Sequence, residues 1–366
     1  MIYLDNAATT RPFDVVIDEM NYVNDTMFYN SAALYKGAIE VKKAVDRATD
    51  EVHNALTKTK KGTVVFTSGA TESNNMVIFG KITRKDAHVL FLAGEHSSVY
   101  APAVHLKNNG FDVGFIPLLP NGAVNVNEMK KMIKSNTALI VFGLVNSDTG
   151  YLQDAKSIVH AIRSVETKRP IHIHMDATQG FCKFDFDVQD FGVDSAAVSA
   201  HKIHGPKGIG ALWLAGGAKI QPIMFGGAQQ DYRPGTEYTA GIIGFAMAVR
   251  ECRKLDGEQI KWLHSLLVKG LPKSCKVNGD NNNPYITNIM LPNVYGQTVM
   301  NYLSEKGIYA GLGSACSSTA SKNRTLLAMG IPEKQTKNVL RISLSYDTTE
   351  NDIREFLREL KSFLGE

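Results

Sequence analysis

Between about residues 60 and 250, short apolar, β-branched runs alternate with longer amphipathic stretches, and no other feature limits the fold as strongly. The runs are Thr63–Ser68, His88–Ala93, Phe111–Leu118, Ala138–Val145, Ile171–Asp176, Ser195–Ala200 and Gly210–Ala215. Each has the length of a strand. The stretches between them, such as NVNEMKKMI and KSIVHAIRSV, carry apolar residues at helical spacing. This alternation predicts an α/β chain with a mainly parallel seven-stranded sheet and flanking helices. Such sheets bind ligands at the carboxyl ends of their strands. Polar clusters at those ends are therefore the first candidates for chemistry.

The pattern changes past Thr236. Residues 236–269 read as helical, and a polar, turn-rich stretch, NGDNNNPY, follows. Shorter strands (YITNIML, VLRISLS) and a final helix over 350–364 complete a second, smaller α+β unit. The expected division is a large domain over 15–255 and a small domain built from 1–14 and 256–366. A net charge of +4 over 366 residues, with no basic tail, does not imply nucleic acid. No apolar run is long enough to span a membrane. The four cysteines share no CxxC spacing and are too scattered for a disulfide framework, which suits a reduced, cytoplasmic setting. The opening MIYLDNAATTRP lacks the layout of a secretory signal.

Three polar clusters sit at predicted strand ends. In FTSGATESNN (Phe66–Asn75), Gly69 permits a tight turn, and Thr71 can cap a helix with Glu72 in its first turn. Free N–H groups at a helix start, with hydroxyls beside them, form an anion site. HIHMDATQG places Asp176 at the end of an apolar strand, where a carboxylate can accept from a buried cation. SAHKIHGPKGIG places Lys202 at the end of another, where partial desolvation lowers the amine's pKa and makes it a usable Schiff-base nucleophile. Each cluster alone reads equally as ordinary capping or ion pairing.

Together with YLDNAATT (Tyr3–Thr10), GEHSSV (Gly94–Val99), RPGTE (Arg233–Glu237), GSACSS (Gly313–Ser318) and LRISLSYDTTE (Leu340–Glu350), these segments resemble the class V aminotransferase family, in that family's order and over nearly the full length. The likeness is to its cysteine desulfurase branch. It implies the fold type I architecture of pyridoxal 5'-phosphate enzymes and a homodimer. By resemblance, Lys202 would hold the cofactor and move the substrate's Cα proton, Asp176 would pair with the pyridinium nitrogen, and Gln179 would bond the phenolic oxygen. His96 would stack on the ring and assist proton transfer at the substrate sulfur. Ala70, Thr71, Ser199 and His201 would hold the phosphate, with Thr236 reaching it from a partner subunit. Arg341 would clamp the substrate carboxylate, a task suited to its planar fork.

Cys316 would take the sulfur as a persulfide. It lies in GLGSACSSTASKN, a small-residue polar stretch predicted to be an accessible loop, whereas Cys182, Cys252 and Cys275 lie in apolar contexts and read as structural. The ACSS form resembles the branch with a long catalytic loop, which implies L-cysteine as substrate and a protein sulfur acceptor, either an Fe–S scaffold or a tRNA-thiolation enzyme. The chain departs from the family where LVNSDTG puts Ser147 at an asparagine position, a shorter cofactor-side donor. Selenocysteine lyase or aminotransferase activity, or a partner-binding role without catalysis, are the alternative functions.

Overall fold

The computed structural model describes residues 1–185, 187–227, 231–280, 282–313 and 323–366. Twelve strands are defined among them, β1 (Ile2–Leu4), β2 (Thr63–Thr67), β3 (His88–Leu92), β4 (Asp112–Ile116), β5 (Thr137–Gly143), β6 (His172–Asp176), β7 (Ser195–Ser199), β8 (Gly210–Leu214), β9 (Lys276–Val277), β10 (Ile286–Met290), β11 (Ile308–Ala310) and β12 (Val339–Ser343). Seven form the central sheet in the order β2-β8-β7-β6-β5-β3-β4. All neighbours are parallel except around β8, which runs antiparallel to β2 and β7. The strand runs read from the sequence match these within a residue or two.

The sheet is covered on both faces, which is why its central strands are apolar throughout. Alternation along β5 divides its side chains between the two layers. Leu139 and Val141 pack with Met76, Val77 and Ile78 of the Ala70–Lys81 helix. Ile140 and Phe142 join the opposite core with Phe181 and Phe245. The stretch read as one helix over 236–269 is two helices, Thr239–Cys252 and Glu258–Gly270. Asp256 explains the break: its side chain accepts from the Glu258 N–H and restarts the helix.

The remaining strands form two small sheets, β12-β10-β9 and β1-β11. β1 pairs in parallel with β11, joining Ile2 to Ile308, so the first residues are bound to the last quarter of the chain. The next residues bond to the end of β12 and then to the turn after β7: Asn6 donates to the Ser343 carbonyl, the Ala7 N–H to the Ser343 hydroxyl, and the Thr10 N–H to the His201 carbonyl. Among the described residues, no helix is long and apolar enough to cross a membrane.

Because β8 is antiparallel, its first residue lies at the same edge as the carboxyl ends of its neighbours. Gly210 is opposite both Thr67 and Ser199. A Cβ there would meet the Val198 carbonyl oxygen at 2.6 Å and the Gly69 Cα at 2.7 Å. Gly210→Ala should therefore push the Gly69 turn outward and cost about 1–3 kcal/mol. Urea unfolding, with phosphate binding measured alongside, checks both effects.

Candidate active site

A cavity of about 470 Å³ opens at this strand edge, and the clusters read from the sequence converge on it. Lys202 ends a short 3-10 turn, Ala200–Lys202, that follows β7 directly. Its amine donates to the carbonyls of Ala7 and Ala8, each at 2.7 Å. Burial, then Lys183 and Arg341 nearby, pull the amine down to about 7, so a large share of it is an uncharged nucleophile at neutral pH.

Asp176 lines the cavity at the end of β6, where it accepts from Asn74 Nδ2 at 2.8 Å and from the Thr178 N–H at 3.0 Å. Gln179, one turn on, donates to the Ala7 carbonyl at 2.8 Å. His96 also lines the cavity and is the N-cap of the Ser97–Asn108 helix. Ahead of it, Glu95 is buried and accepts from the Gly143 N–H. Burial pushes its carboxyl up to about 8, keeping it largely protonated at neutral pH.

One end of the cavity is built to take an anion. The Ala70–Lys81 helix begins there with Gly69 as its N-cap, at φ 154° and without a side-chain cap bond. Sequence reasoning had made Thr71 the cap; it lies inside the first turn instead. A glycine N-cap has no side chain to turn back onto the first-turn N–H groups, which leaves them to an outside acceptor. Ala70, Thr71, Ser199 and His201 all line this end. Burial, then Lys202 and Lys207, lower His201 to about 4, so it meets an anion as a neutral ring.

Arg341, on β12, is buried and lines the cavity from the opposite side. Its guanidinium donates to the Asp5 carboxylate at 2.6 Å and to the Ser147 carbonyl at 2.8 Å. Its Nε has no hydrogen-bond partner among the described residues. Ser147 lines the same wall. Thr236 is exposed and does not line this cavity. Cys316 lies outside the described residues.

Sequence reasoning passed over four residues that bear on the site. Asn74 sits inside a motif but was read only as part of a helix. Glu95 was absorbed into the histidine motif. Thr178, whose buried hydroxyl lacks a partner among the described residues, looked like a spacer. Lys183 belongs to none of the motifs, yet burial lowers it to about 8, and it donates to Gln179 at 3.3 Å. A lysine following the apolar run GFC was the available signal for the last.

A sequence model of the family Aminotransferase class-V matches residues 2–356. The chain is 32% identical to the cysteine desulfurase IscS of Clostridium botulinum strain Hall, over 99% of this chain and 94% of that protein. It is 31% identical to cysteine desulfurase IscS 1 of Archaeoglobus fulgidus, over 98% and 96%. Among solved structures, a NifS-like protein aligns with a TM-score of 0.90 at 28% identity, covering 100% of this chain and 99% of the other. SspA in complex with cysteine aligns at a TM-score of 0.82 and 29% identity, covering 95% and 100%.

The depressed amine can be checked without any cofactor. Reductive methylation of Lys202, followed by mass spectrometry, should rise with pH to a half-maximum near 7, the value its burial sets. Exposed lysines should reach theirs near 10.4 or so. A Lys202 profile matching theirs would contradict the buried, cation-flanked environment.

Proposed function

The chain belongs to the class V aminotransferase family, its activity is that of a pyridoxal 5'-phosphate-dependent cysteine desulfurase, and we propose that Lys202 and Cys316 carry that activity. The residues at the cavity fit the cofactor in three independent ways. An uncapped helix start suits a phosphate, a carboxylate at the end of β6 suits a pyridinium nitrogen, and a largely neutral amine suits an aldehyde carbon. When bound, pyridoxal phosphate supplies an electron sink for bond breaking next to the substrate's amino group.

Within that frame Lys202 would hold the cofactor and carry the substrate's Cα proton. Asp176 would pair with the ring nitrogen, its carboxylate already oriented by Asn74 and the Thr178 N–H. Gln179 would bond the phenolic oxygen. Ala70, Thr71, Ser199 and His201 would hold the phosphate, and Ser147 would serve as a further cofactor-side donor. Arg341, which lines the cavity, would bind the substrate carboxylate. His96 attends the substrate sulfur. Cys316 thiolate attacks that sulfur: an S–S bond forms as the Cβ–S bond breaks, Cβ takes a proton, and L-alanine leaves. The balance is L-cysteine plus enzyme thiol to L-alanine plus enzyme persulfide. The observation that carries this is the low-pKa amine of Lys202 in one cavity with the Arg341 side chain and an uncapped helix start.

The sulfur then passes to a protein acceptor, an Fe–S scaffold or a tRNA-thiolation enzyme. Catalysis in a cytoplasmic homodimer completes the proposal, together with a division into a 15–255 domain and a small domain of 1–14 and 256–366. The β1–β11 pairing supports that division. Supporting the dimer are Phe28, Leu34 and Phe225, which are 71%, 92% and 85% exposed. Phe28 stacks near Tyr29, and Tyr29 meets Tyr35, so the apolar residues form a patch. Ser31 ties the patch to Glu237, next to Thr236.

Incubation with L-cysteine should add one sulfur atom to the peptide holding Cys316, detected by mass spectrometry, with alanine formed in step. Cys316→Ser should abolish both the added sulfur and steady sulfide release while the bound cofactor keeps its absorption. Continued normal desulfuration by that variant would remove Cys316 from its role. In light scattering, the unaltered chain should run as a dimer, and Phe28→Asp with Leu34→Asp should run as a monomer. The monomer should also bind the cofactor more weakly, since Thr236 then has no partner site to reach.

A further inference from the structure

His96 is gripped twice by Ser98. The Ser98 N–H donates to His96 Nδ1 at 3.1 Å, and the Ser98 hydroxyl lies 2.9 Å from the same nitrogen. A backbone N–H can only donate, so Nδ1 is an acceptor and carries no proton. The ring proton therefore sits on Nε2, the nitrogen turned away from the helix start, in a residue that lines the cavity.

The hydroxyl is held in turn by Asn74. Its Nδ2 donates to Ser98 Oγ at 2.9 Å and to Asp176 Oδ2 at 2.8 Å. The Asp176 contact fixes which way the amide points, because a carboxylate oxygen accepts. Asn74 Oδ1 must then accept from His174 Nε2, 2.9 Å away. His174 Nδ1 is left to take the Ser195 hydroxyl proton at 2.8 Å, and that oxygen accepts from His172 Nε2 at 2.8 Å. Every donor has one acceptor, and both inner histidines are neutral. Burial takes His174 down to about 4 and His172 lower than usual as well. Nothing in this run can turn over without breaking several buried bonds at once.

A charged His96 would oppose the network. A proton on Nδ1 would face the Ser98 N–H, at the start of a 12-residue helix whose dipole disfavours a cation. Asp176 on β6 and Asp148 on the loop after β5 favour the charged ring. Lys202 and Arg324 oppose it, and burial outweighs them all, holding the ring below the usual histidine range. Glu95, the adjacent residue, is itself largely protonated at neutral pH.

We propose that His96 serves the reaction as a neutral Nε2–H donor toward the substrate sulfur, and that Ser98 and Asn74 are positioning residues that lock this tautomer and tie it to Asp176. The contact with sulfur rests on the desulfurase assignment; the tautomer does not. In this role the ring presents its one proton at Nε2, the atom through which the proton transfer expected from the family resemblance would run. Neutral histidines at helix starts can polarise a substrate in this way.

Histidine-selective 15N labelling and long-range proton–nitrogen correlation spectra of the full chain, with and without cofactor, test the tautomer directly. The His96 signals are assigned by their loss in His96→Asn. They should show Nδ1 bare and Nε2 protonated, with no titration between about pH 7 and 8.5. A protonated Nδ1, or an imidazolium midpoint inside that window, would overturn the proposal, and both are read on the unaltered chain, the variant serving only for assignment. Asn74→Ala should bring in a second His96 tautomer and add a limb to the pH profile of kcat for alanine release. Asn74→Ser, which can still donate to Asp176, should restore part of the profile. An Asn74→Ala protein with unchanged spectra and profile removes Asn74 from the proposal. If the wild-type chain makes no alanine from cysteine, the sulfur contact falls while the spectra still decide the tautomer.

Discussion

The amine of Lys202 rests on two main-chain carbonyls, Ala7 and Ala8, and the rest of the site is arranged around that contact. A buried lysine lacking such acceptors would be costly whether charged or not. With them, the amine is satisfied as a donor without a carboxylate that would fix its charge, and burial is free to lower its pKa. The carbonyls come from a segment tied both to the central sheet's edge and to the small sheets. Asn6 and Ala7 bond to Ser343, Thr10 bonds to the His201 carbonyl, and β1 runs beside β11.

Around that amine the charges are sorted by depth. Lys183 and Arg341 are close enough to help depress the Lys202 amine, which biases the cavity toward anionic guests. Negative charge is kept where it has a fixed partner: Asp5 on Arg341, Asp176 on Asn74. Glu95, which accepts from the Gly143 N–H, is held mostly neutral by burial. A ligand bearing a phosphate at one end and a carboxylate at the other meets donors at both.

Much of this was legible in the sequence because strand-end clusters are written in one dimension. Apolar runs bounded by Asp176, Thr67 and Lys202 announce both a strand and the edge it points to, and the structure gathers them there. What stayed hidden depends on side chains meeting across elements. Asn74 is one amide in a helix until β6 sets Asp176 and His174 on either side of it. The alternating histidines of HIHMD looked odd in a buried strand; Ser195 of the neighbouring β7 is what satisfies them. The Thr71 cap failed for a backbone reason, since the chain turns at Gly69 before a hydroxyl can reach back. Arg341 was found by motif, but its Asp5 partner, 336 residues away, carries no local signal.

The parallel pairing of β1 with β11 has a temporal side. A ribosome delivers residues 2–4 first, yet their partners are residues 308–310, and the hydrogen bonds that seat Asn6 and Ala7 wait for Ser343. The central sheet can assemble from its own strands while the chain is still growing, but the carbonyls that cradle the lysine cannot be fully seated until residues 308–310 and Ser343 have been made. A polypeptide that stops short of them carries the lysine without its seat.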